Sequence, residues 1–491
     1  MIKSQKINKI NIQAFEGCSD YRKLAFGIYK NLLDAFSSKD LLLLESLGPK
    51  SSDAKRSMIG IMPIMKIEVI NHIITIIGNN DLLDVYKSLF GDTYLIYSAD
   101  EILRYQLADR TQIWDHLRVF DVQFKAQNNR ILAFATFGYN TIHYIENIAG
   151  YVRGEMPDIT LTCYSTYLEI GEGQVILHQY EFIGAEIISA AQITPHITIS
   201  KRTSEIASNG AFFFSRETNK SEYIQKAKVA LEHVARGDVY QIQIGHQVLI
   251  ESNISPLAVY ERLRLMNPSP YMYLFSCGDF EVIGASPESY ICVEKDEVTV
   301  RPIAGTLAKT RIANKEEAAK EFHSNCKEIA EHMMLVDLCR NDLCRVSTPS
   351  SLEVSELMSI EEYSHVFHMV STAKAKLKKD FDKYDVIKAS FPAGTMTGTP
   401  KIRAIELISE LEDSARGLYA GALGIIGLGS NYMNTALCIR TAVERNGVFS
   451  LRASAGIVSD SRVEDEYAET LHKMGSVFKA ITNEEISCHL M

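Results

Sequence analysis

Apolar residues recur at the spacing of an α-helix in three stretches of the second half of the chain. The helices predicted from them cover about residues 220–236, 314–338 and 464–480. Gly237 follows the first helix and can adopt the left-handed conformation that ends a helix. In the third helix the apolar stripe has the spacing 4-3-4-3: Tyr467, Leu471, Met474, Phe478 and Ile481. Each helix therefore has one face for a core and another that can carry polar groups.

β-like runs alternate with these helices. They cover residues 239–244, 281–284, 298–302, 421–428 and 437–443. Residues 1 to about 190 mix short β-rich runs with helical patches, and residues 194–219 are rich in Ser, Thr and Asn, which is typical of a linker. Strands mixed with helices predict an α/β or α+β fold. We expect an N-terminal region over residues 1–200 and a second region over residues 215–485.

The composition is that of a globular protein and excludes several kinds of partner. Of the 491 residues, 46% are hydrophobic and 23% are charged, and the formal net charge is −10. No basic run with interleaved aromatic residues occurs, so nucleic acid is not an expected partner. No apolar run reaches membrane-spanning length and no apolar signal core follows the N-terminus, so no membrane association is expected. The nine cysteines form no CxxC pair, which predicts reduced thiols in a cytoplasmic protein and no zinc site.

Two pairs of glutamates stand at helical spacing, Glu328 with Glu331 and Glu466 with Glu469. Residues three apart share one helix face, and two such faces could place four carboxylates around one hard cation, which prefers oxygen ligands. That arrangement suits a Mg²⁺ enzyme that acts on a small polyanion. The alternative is a solvated helix face, because Glu469 and Lys473 are also spaced for an ordinary salt bridge.

Three further residues have a chemical and a structural interpretation. Glu288 follows a β-like run and could act as a general acid if it is partly desolvated, or it could be a turn residue. His368, three residues after His365, could be a metal ligand or a hydrogen-bonded core residue. Arg440 follows an apolar run and could clamp a carboxylate or form a structural ion pair.

Glycines are frequent in the C-terminal half, at Gly394, Gly398, Gly421, Gly424 and Gly456. Together they indicate backbone amides that approach an anion, because glycine lets the main chain come close. The segment 391–401 lacks the spacing of a nucleotide-binding phosphate loop, so nucleotide binding is not predicted.

The joint pattern from Gly237 to Ile481 resembles the chorismate-utilising enzymes. The matching stretches are Gly237-Asp-Val-Tyr-Gln241, Asn267-Pro-Ser-Pro-Tyr-Met272, Gly284-Ala-Ser-Pro-Glu288, Arg301-Pro-Ile-Ala-Gly-Thr306, Glu331-His-Met-Met-Leu-Val-Asp337, Arg340-Asn-Asp342, 363–371, 391–412, Ile439-Arg-Thr441, Ala455-Gly-Ile-Val458 and 466–473. They cover about half of the chain, in the order of the family. The resemblance implies a two-lobed α/β (α+β) sandwich with its active site in a cleft.

Within that family the chain is most similar to the large subunits of anthranilate synthases. Relatives that add water to chorismate carry a lysine base where this chain has Gln241, and a neutral amide cannot deprotonate water. Aminodeoxychorismate synthases often carry a nucleophilic lysine where this chain has Ala304. The resemblance therefore implies addition of ammonia at ring carbon 2 of chorismate, followed by loss of pyruvate to give anthranilate.

The resemblance also implies a role for each site residue. Glu331 and Glu469 would bind Mg²⁺, supported through water by Glu328 and Glu466. The enolpyruvyl carboxylate would be held by Arg440, Tyr419, Lys473 and the amide of Gly456. Glu288 would protonate the departing 4-hydroxyl, Thr395 would lie near the ring, Gly305 and Thr306 would line the pocket, and His368 would serve the loss of pyruvate.

Partners and regulation follow from the same resemblance. The chain carries no Gly-x-Cys-x-Gly elbow and ends soon after the last family helix, so we expect a separate glutaminase subunit to supply ammonia. The segment Leu43-Leu-Glu45-Ser46 and the residues Pro270, Tyr271 and Met272 resemble the two walls of a tryptophan site, which predicts feedback inhibition by tryptophan.

Three other functions remain open at this level. They are a 4-amino-4-deoxychorismate synthase component I, an aminodeoxyisochorismate synthase that stops after amination, and a non-catalytic regulatory homologue. Two departures from the family pattern bear on the choice: Gly245-His-Gln247 replaces an Arg-rich segment and Thr399 replaces an alanine.

Overall fold

The structure is a computed structural model, and it describes most of the chain. The described residues are 2–11, 24–48, 56–124, 131–149, 152–171, 174–185, 188–198, 212–216, 218–312, 314–363 and 366–487. The helices are α1 Leu24–Leu32, α2 Asn80–Phe90, α3 Ile113–Val122, α4 Ala190–Ile193, α5 Lys220–Arg236, α6 Pro256–Met266, α7 Lys315–Ser324, α8 Cys326–Val346, α9 Lys383–Ser390, α10 Lys401–Leu411 and α11 Val463–Thr482. None of these helices is both long and apolar enough to cross a membrane.

The strands form antiparallel ladders. They are β1 Ile2–Asn11, β2 Leu41–Glu45, β3 Ser57–Ile70, β4 Ile73–Gly78, β5 Leu95–Ala99, β6 Ile102–Gln106, β7 Ile131–Phe137, β8 Ile159–Gly171, β9 Gln174–Phe182, β10 Phe212–Arg216, β11 Gln241–Ser252, β12 Tyr271–Cys277, β13 Phe280–Ser286, β14 Ser289–Glu294, β15 Glu297–Val300, β16 Ile303–Ala308, β17 Glu353–Glu362, β18 Val366–Lys376, β19 Gly398–Thr399, β20 Ala422–Leu428, β21 Tyr432–Leu437, β22 Thr441–Arg445 and β23 Val448–Ile457.

Strand pairing runs through both predicted regions of the chain. One arm passes from β10 through β11, β23, β22, β13, β12, β2 and β3 to β8. The other arm passes from β8 through β7, β20, β21, β14 and β15 to β18. Most strands of both arms come from the C-terminal half of the chain. The two arms are joined by four strands of the N-terminal region, β2, β3, β8 and β7. The N-terminal region is part of the same hydrogen-bonded frame, and the boundary predicted near residue 200 falls outside the described residues.

Two of the three predicted helices agree with the structure, and one is divided. Helix α5 starts at a capping box between Asn219 and Glu222 and ends at Gly237, whose φ is 80°. Helix α11 ends at Asn483, which is also left-handed. The single helix predicted over 314–338 is wrong, because Asn325 interrupts it. Its extended backbone ends α7, and its side chain caps the amides of Lys327 and Glu328 to start α8.

Candidate active site

Two helices bring the predicted metal carboxylates to one cleft. Glu328 and Glu331 lie in the first two turns of α8, and Glu466 and Glu469 lie in the first two turns of α11. Burial raises the pKa of Glu328, Glu331 and Glu466, and the charge of Glu469 raises all three further. Glu469 therefore stands close enough to repel carboxylates on both helices. The predicted convergence of the two glutamate pairs is present.

Two lysines neutralise part of the negative charge of these glutamates. Lys327 lies 3.7 Å from Glu331, and Lys473 lies 2.6 Å from Glu469. Within the described residues, no three acidic, histidine or cysteine side chains stand together as a ready metal-binding group. The four carboxylates form two facing pairs, and the expectation that they surround one cation stays a prediction. Mg²⁺ commonly takes one or two carboxylates and completes its shell with water and substrate oxygens, so a facing pair suits it.

Glu288 lies just after β13 beside a narrow, mainly apolar cavity of about 40 Å³ that Thr395, Tyr290 and Leu338 also line. Burial raises the pKa of Glu288 to about 8, against the lowering influence of Lys473, of Arg440 and of a backbone hydrogen bond from Ile303. Its carboxyl group is consequently protonated at neutral pH, as a general acid must be.

His368 is held in one orientation and, like Glu288, lies within reach of the charge of Arg440. Its Nδ1 lies 2.8 Å from the carbonyl oxygen of Gly305, so Nδ1 carries the proton and donates it. Thr306 Oγ1 is 3.3 Å from the same nitrogen. Burial lowers the pKa of His368, and Arg440 lowers it further. The imidazole is therefore neutral at pH 7, with Nε2 available to accept a proton. The neighbouring His365 lies outside the described residues.

The groups predicted to hold a carboxylate converge on β23. Tyr419 Oη lies 2.8 Å from Ser454 Oγ, and Lys473 Nζ donates to the carbonyl oxygen of Ser454 at 2.9 Å. Arg440 has a φ of 53°, which is rare for a bulky residue and is found where a side chain is held for a function. Its side chain lies close enough to Glu288 and Glu469 for both charges to act on it. The donors predicted for one carboxylate are thus adjacent.

Gln241 and Thr395 complete the predicted constellation. Gln241 begins β11 and faces Thr399 of β19, so the glycine-rich segment runs directly beside it. Thr395 lies in the short helical turn Gly394–Met396. Among the described residues, its buried Oγ1 has no hydrogen-bond partner, and the same is true of Thr399 Oγ1. Thr395 also lines the cavity beside Glu288, where an unpaired hydroxyl group is suited to bind a polar ligand.

A buried ion network under the site was not predicted. Arg416 donates to both carboxylate oxygens of Glu412 and to the carbonyl oxygens of Met396 and Gln243, at 2.7–3.0 Å. Arg452 binds the same carboxylate at 2.8 Å. The guanidinium of Arg416 thereby ties the glycine-rich segment to β11. The spacing of Glu412 and Arg416 was a signal in the sequence, but an (i, i+4) pair is more often a surface salt bridge.

The two walls predicted for tryptophan also meet. Glu45 on β2 pairs in register with Met272 on β12, and Ser46 Oγ donates to the carbonyl oxygen of Pro270 at 3.0 Å. The Glu45 carboxylate is already bound by Tyr260 Oη at 2.8 Å and by Arg264 Nε at 2.7 Å. An amino-acid ligand would have to share that carboxylate with Arg264.

A mixed α/β frame, a protonated buried carboxyl, a neutral imidazole and facing carboxylate pairs define an enzyme that acts on a small carboxylate substrate. The family model of the chorismate binding enzymes matches residues 84–479. The chain belongs to this family and is a chorismate-utilising enzyme.

Individual relatives differ in the product that they form. The chain is 38% identical to the 2-amino-4-deoxychorismate synthase of Streptomyces globisporus over 94% of this chain and 95% of that protein. It is 44% identical to anthranilate synthase component 1 of Aquifex aeolicus over 53% of each chain. The crystal structure of anthranilate synthase component I from Streptococcus pneumoniae superposes with a TM-score of 0.68 and 27% identity, covering 87% of this chain and 93% of that one. The expected fold and the resemblance to anthranilate synthase large subunits are confirmed.

Proposed function

We propose that the enzyme aminates chorismate at ring carbon 2 with ammonia and then eliminates pyruvate, giving anthranilate. The observation that carries the proposal is that Arg440 lies close enough to act on both a carboxyl group with a pKa near 8, Glu288, and a neutral imidazole, His368. The first group can give a proton and the second can accept one at the same pH. A two-step reaction that first expels a hydroxyl group and then removes a ring proton needs both.

In the first step the lone pair of ammonia forms the C2–N bond while the two ring double bonds shift. The C4–O bond breaks, and the leaving oxygen takes the proton of Glu288 and departs as water. The new ammonium group then gives up a proton, which restores Glu288 to its acid form. Gln241 suits ammonia as the nucleophile, because its neutral amide can orient a molecule but cannot deprotonate water.

In the second step His368 Nε2 accepts the proton on carbon 2. The C–H electrons form the C2–C3 double bond, the C3–O bond breaks, and the ring becomes aromatic. The enolpyruvyl group leaves and takes up a proton to become pyruvate. The hydrogen bond from Nδ1 to Gly305 keeps Nε2 unprotonated and aimed in one direction.

Mg²⁺ is proposed as the cofactor. Glu331 and Glu469 would hold it directly and Glu328 and Glu466 through water, since their mutual repulsion would be relieved by a bound cation. When bound, the ion would neutralise the ring carboxylate of the substrate and polarise the ring.

A second candidate is an enzyme that stops after the first step. The Streptomyces globisporus relative favours it, because it matches over nearly the full chain and its printed name describes a product that is aminated but still a chorismate derivative. His368 favours the complete reaction, because its Nδ1 is bound to Gly305 and its Nε2 can accept the ring proton that the second step removes.

Product analysis distinguishes them. The purified chain is incubated with chorismate, Mg²⁺ and an ammonium salt, and the products are separated and identified by mass. We expect anthranilate and pyruvate in equal amounts. An aminated product without pyruvate would establish the second candidate, and amination at carbon 4 would exclude both.

The nitrogen source provides a separate prediction. Ammonium has no lone pair, so the rate with ammonium salts should rise with pH as the free ammonia fraction grows, until Glu288 begins to lose its proton. Glutamine should give no product with this chain alone, because we propose that a separate glutaminase subunit releases ammonia from it. Glutamine-dependent turnover by the pure chain would contradict the proposed partner.

Inhibition by tryptophan stays a prediction, resting on the meeting of β2 and β12. We expect tryptophan to lower ammonia-dependent turnover by favouring a state in which the catalytic groups are misaligned. Ser46→Phe should remove the inhibition, because the larger side chain cannot keep the hydrogen bond of Ser46 to Pro270 and would push the two walls apart. Turnover of this variant without tryptophan is the control. A wild type that is insensitive to saturating tryptophan would show that these walls form no regulatory site.

A further inference from the structure

The ladder between β11 and β23 places an amide–hydroxyl pair beside Tyr419 and Lys473, two of the groups predicted to hold a carboxylate. Gln243 faces Gly456 in register, and Ser454 Oγ donates to Gln243 Oε1 at 2.8 Å. The Gln243 side chain is buried, with 8% of the residue exposed. Because its oxygen is engaged by Ser454, its Nε2 amino group points away from that hydroxyl. The amide is thus held as a hydrogen-bond donor on the side of Gly456.

Two such amino groups meet beside Gly456. A Cβ atom on Gly456 would lie 2.6 Å from Gln241 Nε2 and 2.9 Å from Gln243 Nε2. For neither Nε2 does the described part of the chain supply a hydrogen-bond acceptor. The two amides fill the room that a side chain at position 456 would need, so only glycine lets them converge there. Their four N–H donors are suited to bind an anionic oxygen.

The hydrogen on Ser454 also decides what Tyr419 can do. Ser454 gives its only hydrogen to Gln243, so the 2.8 Å contact between Tyr419 Oη and Ser454 Oγ must use the hydrogen of the tyrosine. Tyr419 Oη consequently has no hydrogen left for a carboxylate. Tyr419, Ser454 and Gln243 are thus linked by two hydrogen bonds, and within the described residues the group at the end of this series that still has free N–H donors is the Gln243 amide.

We propose that Gln243 is a further substrate-binding residue, whose Nε2 donates to the enolpyruvyl carboxylate of chorismate beside Arg440. Ser454 is a positioning residue that fixes the orientation of the amide. The proposal rests on the function proposed above and adds to it the residue that recognises the second carboxylate of the substrate.

The backbone of Gln243 is held independently of its side chain. Its amide donates to the carbonyl oxygen of Thr397 at 2.8 Å, and its carbonyl oxygen accepts from Arg416 at 3.0 Å. Replacement of the side chain by leucine therefore preserves these two contacts and removes only the amide. Gln247, four residues along the same strand, offers a control, because its Nε2 is already engaged as a donor to Ser450 Oγ at 2.7 Å.

The test measures binding in the presence of Mg²⁺ by calorimetry, with two probes. Benzoate carries only the ring carboxylate, and 3-(1-carboxyvinyloxy)benzoate carries the enolpyruvyl carboxylate as well. Gln243→Leu should weaken the second probe by about tenfold to a hundredfold, as expected for a hydrogen bond to a charged group, and should leave benzoate unchanged. Gln247→Leu should change neither probe, and Tyr419→Phe should change the second probe by less than Gln243→Leu.

Three results would overturn the proposal. They are an unchanged affinity of Gln243→Leu for the second probe, an equal loss for both probes, and a loss in Tyr419→Phe that Gln243→Leu does not show. The outcome for the function is separable, because turnover is measured on the same wild-type protein. A wild type that binds the second probe but forms no aminated product would contradict the proposed function and leave the role of Gln243 in place.

Discussion

Glu331→Gln is expected to lower kcat/KM for chorismate by at least about a thousandfold, because the metal that this carboxylate would hold contributes several kcal/mol to charge stabilisation. The amide is nearly isosteric with the carboxylate but carries no charge. Direct binding of Mn²⁺, followed by its paramagnetic resonance, should weaken in parallel. This second measurement reports the ligand role without relying on turnover.

Loss of the fold would not explain that result. Burial and the charges of Glu328 and Glu469 raise the pKa of Glu331, so its ionised form is less favourable in the folded state than in the unfolded state. Removing the charge at pH 7 without metal should therefore leave the melting temperature unchanged or raise it. Glu321→Gln, on the neighbouring helix α7, is the matched control and should keep full activity. Wild-type turnover of Glu331→Gln, or of the wild type in EDTA, would refute the metal assignment.

Glu288→Gln should lower kcat by about a hundredfold to ten-thousandfold, the range that a general acid supplies. The glutamine keeps the size of the side chain but cannot protonate the departing hydroxyl. Substrate affinity should change little, because the lost proton acts only while the C4–O bond breaks. The measurement is the steady-state rate at saturating chorismate and ammonia.

The pH dependence provides an independent check on Glu288. The acid form is required, and the pKa is raised to about 8, so the rate corrected for free ammonia should fall as the pH rises through about 8. This limb should be absent in Glu288→Gln. Glu281→Gln is the control, since burial also raises the pKa of Glu281 but it lies at the other end of β13. A falling limb that persists in Glu288→Gln would assign the general acid to another group.

The hydrophobic pattern predicted the site residues correctly where their position depends only on which face of a helix they occupy. The stripe of α11 put Glu466 and Glu469 on a face that is free of the core, and the spacing of Glu328 and Glu331 did the same for α8. Periodicity did not reveal the break at Asn325. The side chain of Asn325 accepts the hydrogen bonds of the first amides of α8, so a new helix can start there. This change depends on one polar side chain and leaves the spacing of the apolar residues unaltered.

The sequence by itself determined the family, the mixed α/β class and most of the residue types in the pocket, because motifs and helix faces are local properties of the chain. Only the tertiary structure decided which strands of the N-terminal region join the two arms of the sheet, and which charged pairs are buried. Glu412 and Arg416 have the spacing of a surface salt bridge, yet they lie under the site. The roles of Gln243 and Ser454 depend on residues more than two hundred positions apart, paired across β11 and β23. Such pairing depends on strand register, and strand register is set by the packing of the whole sheet.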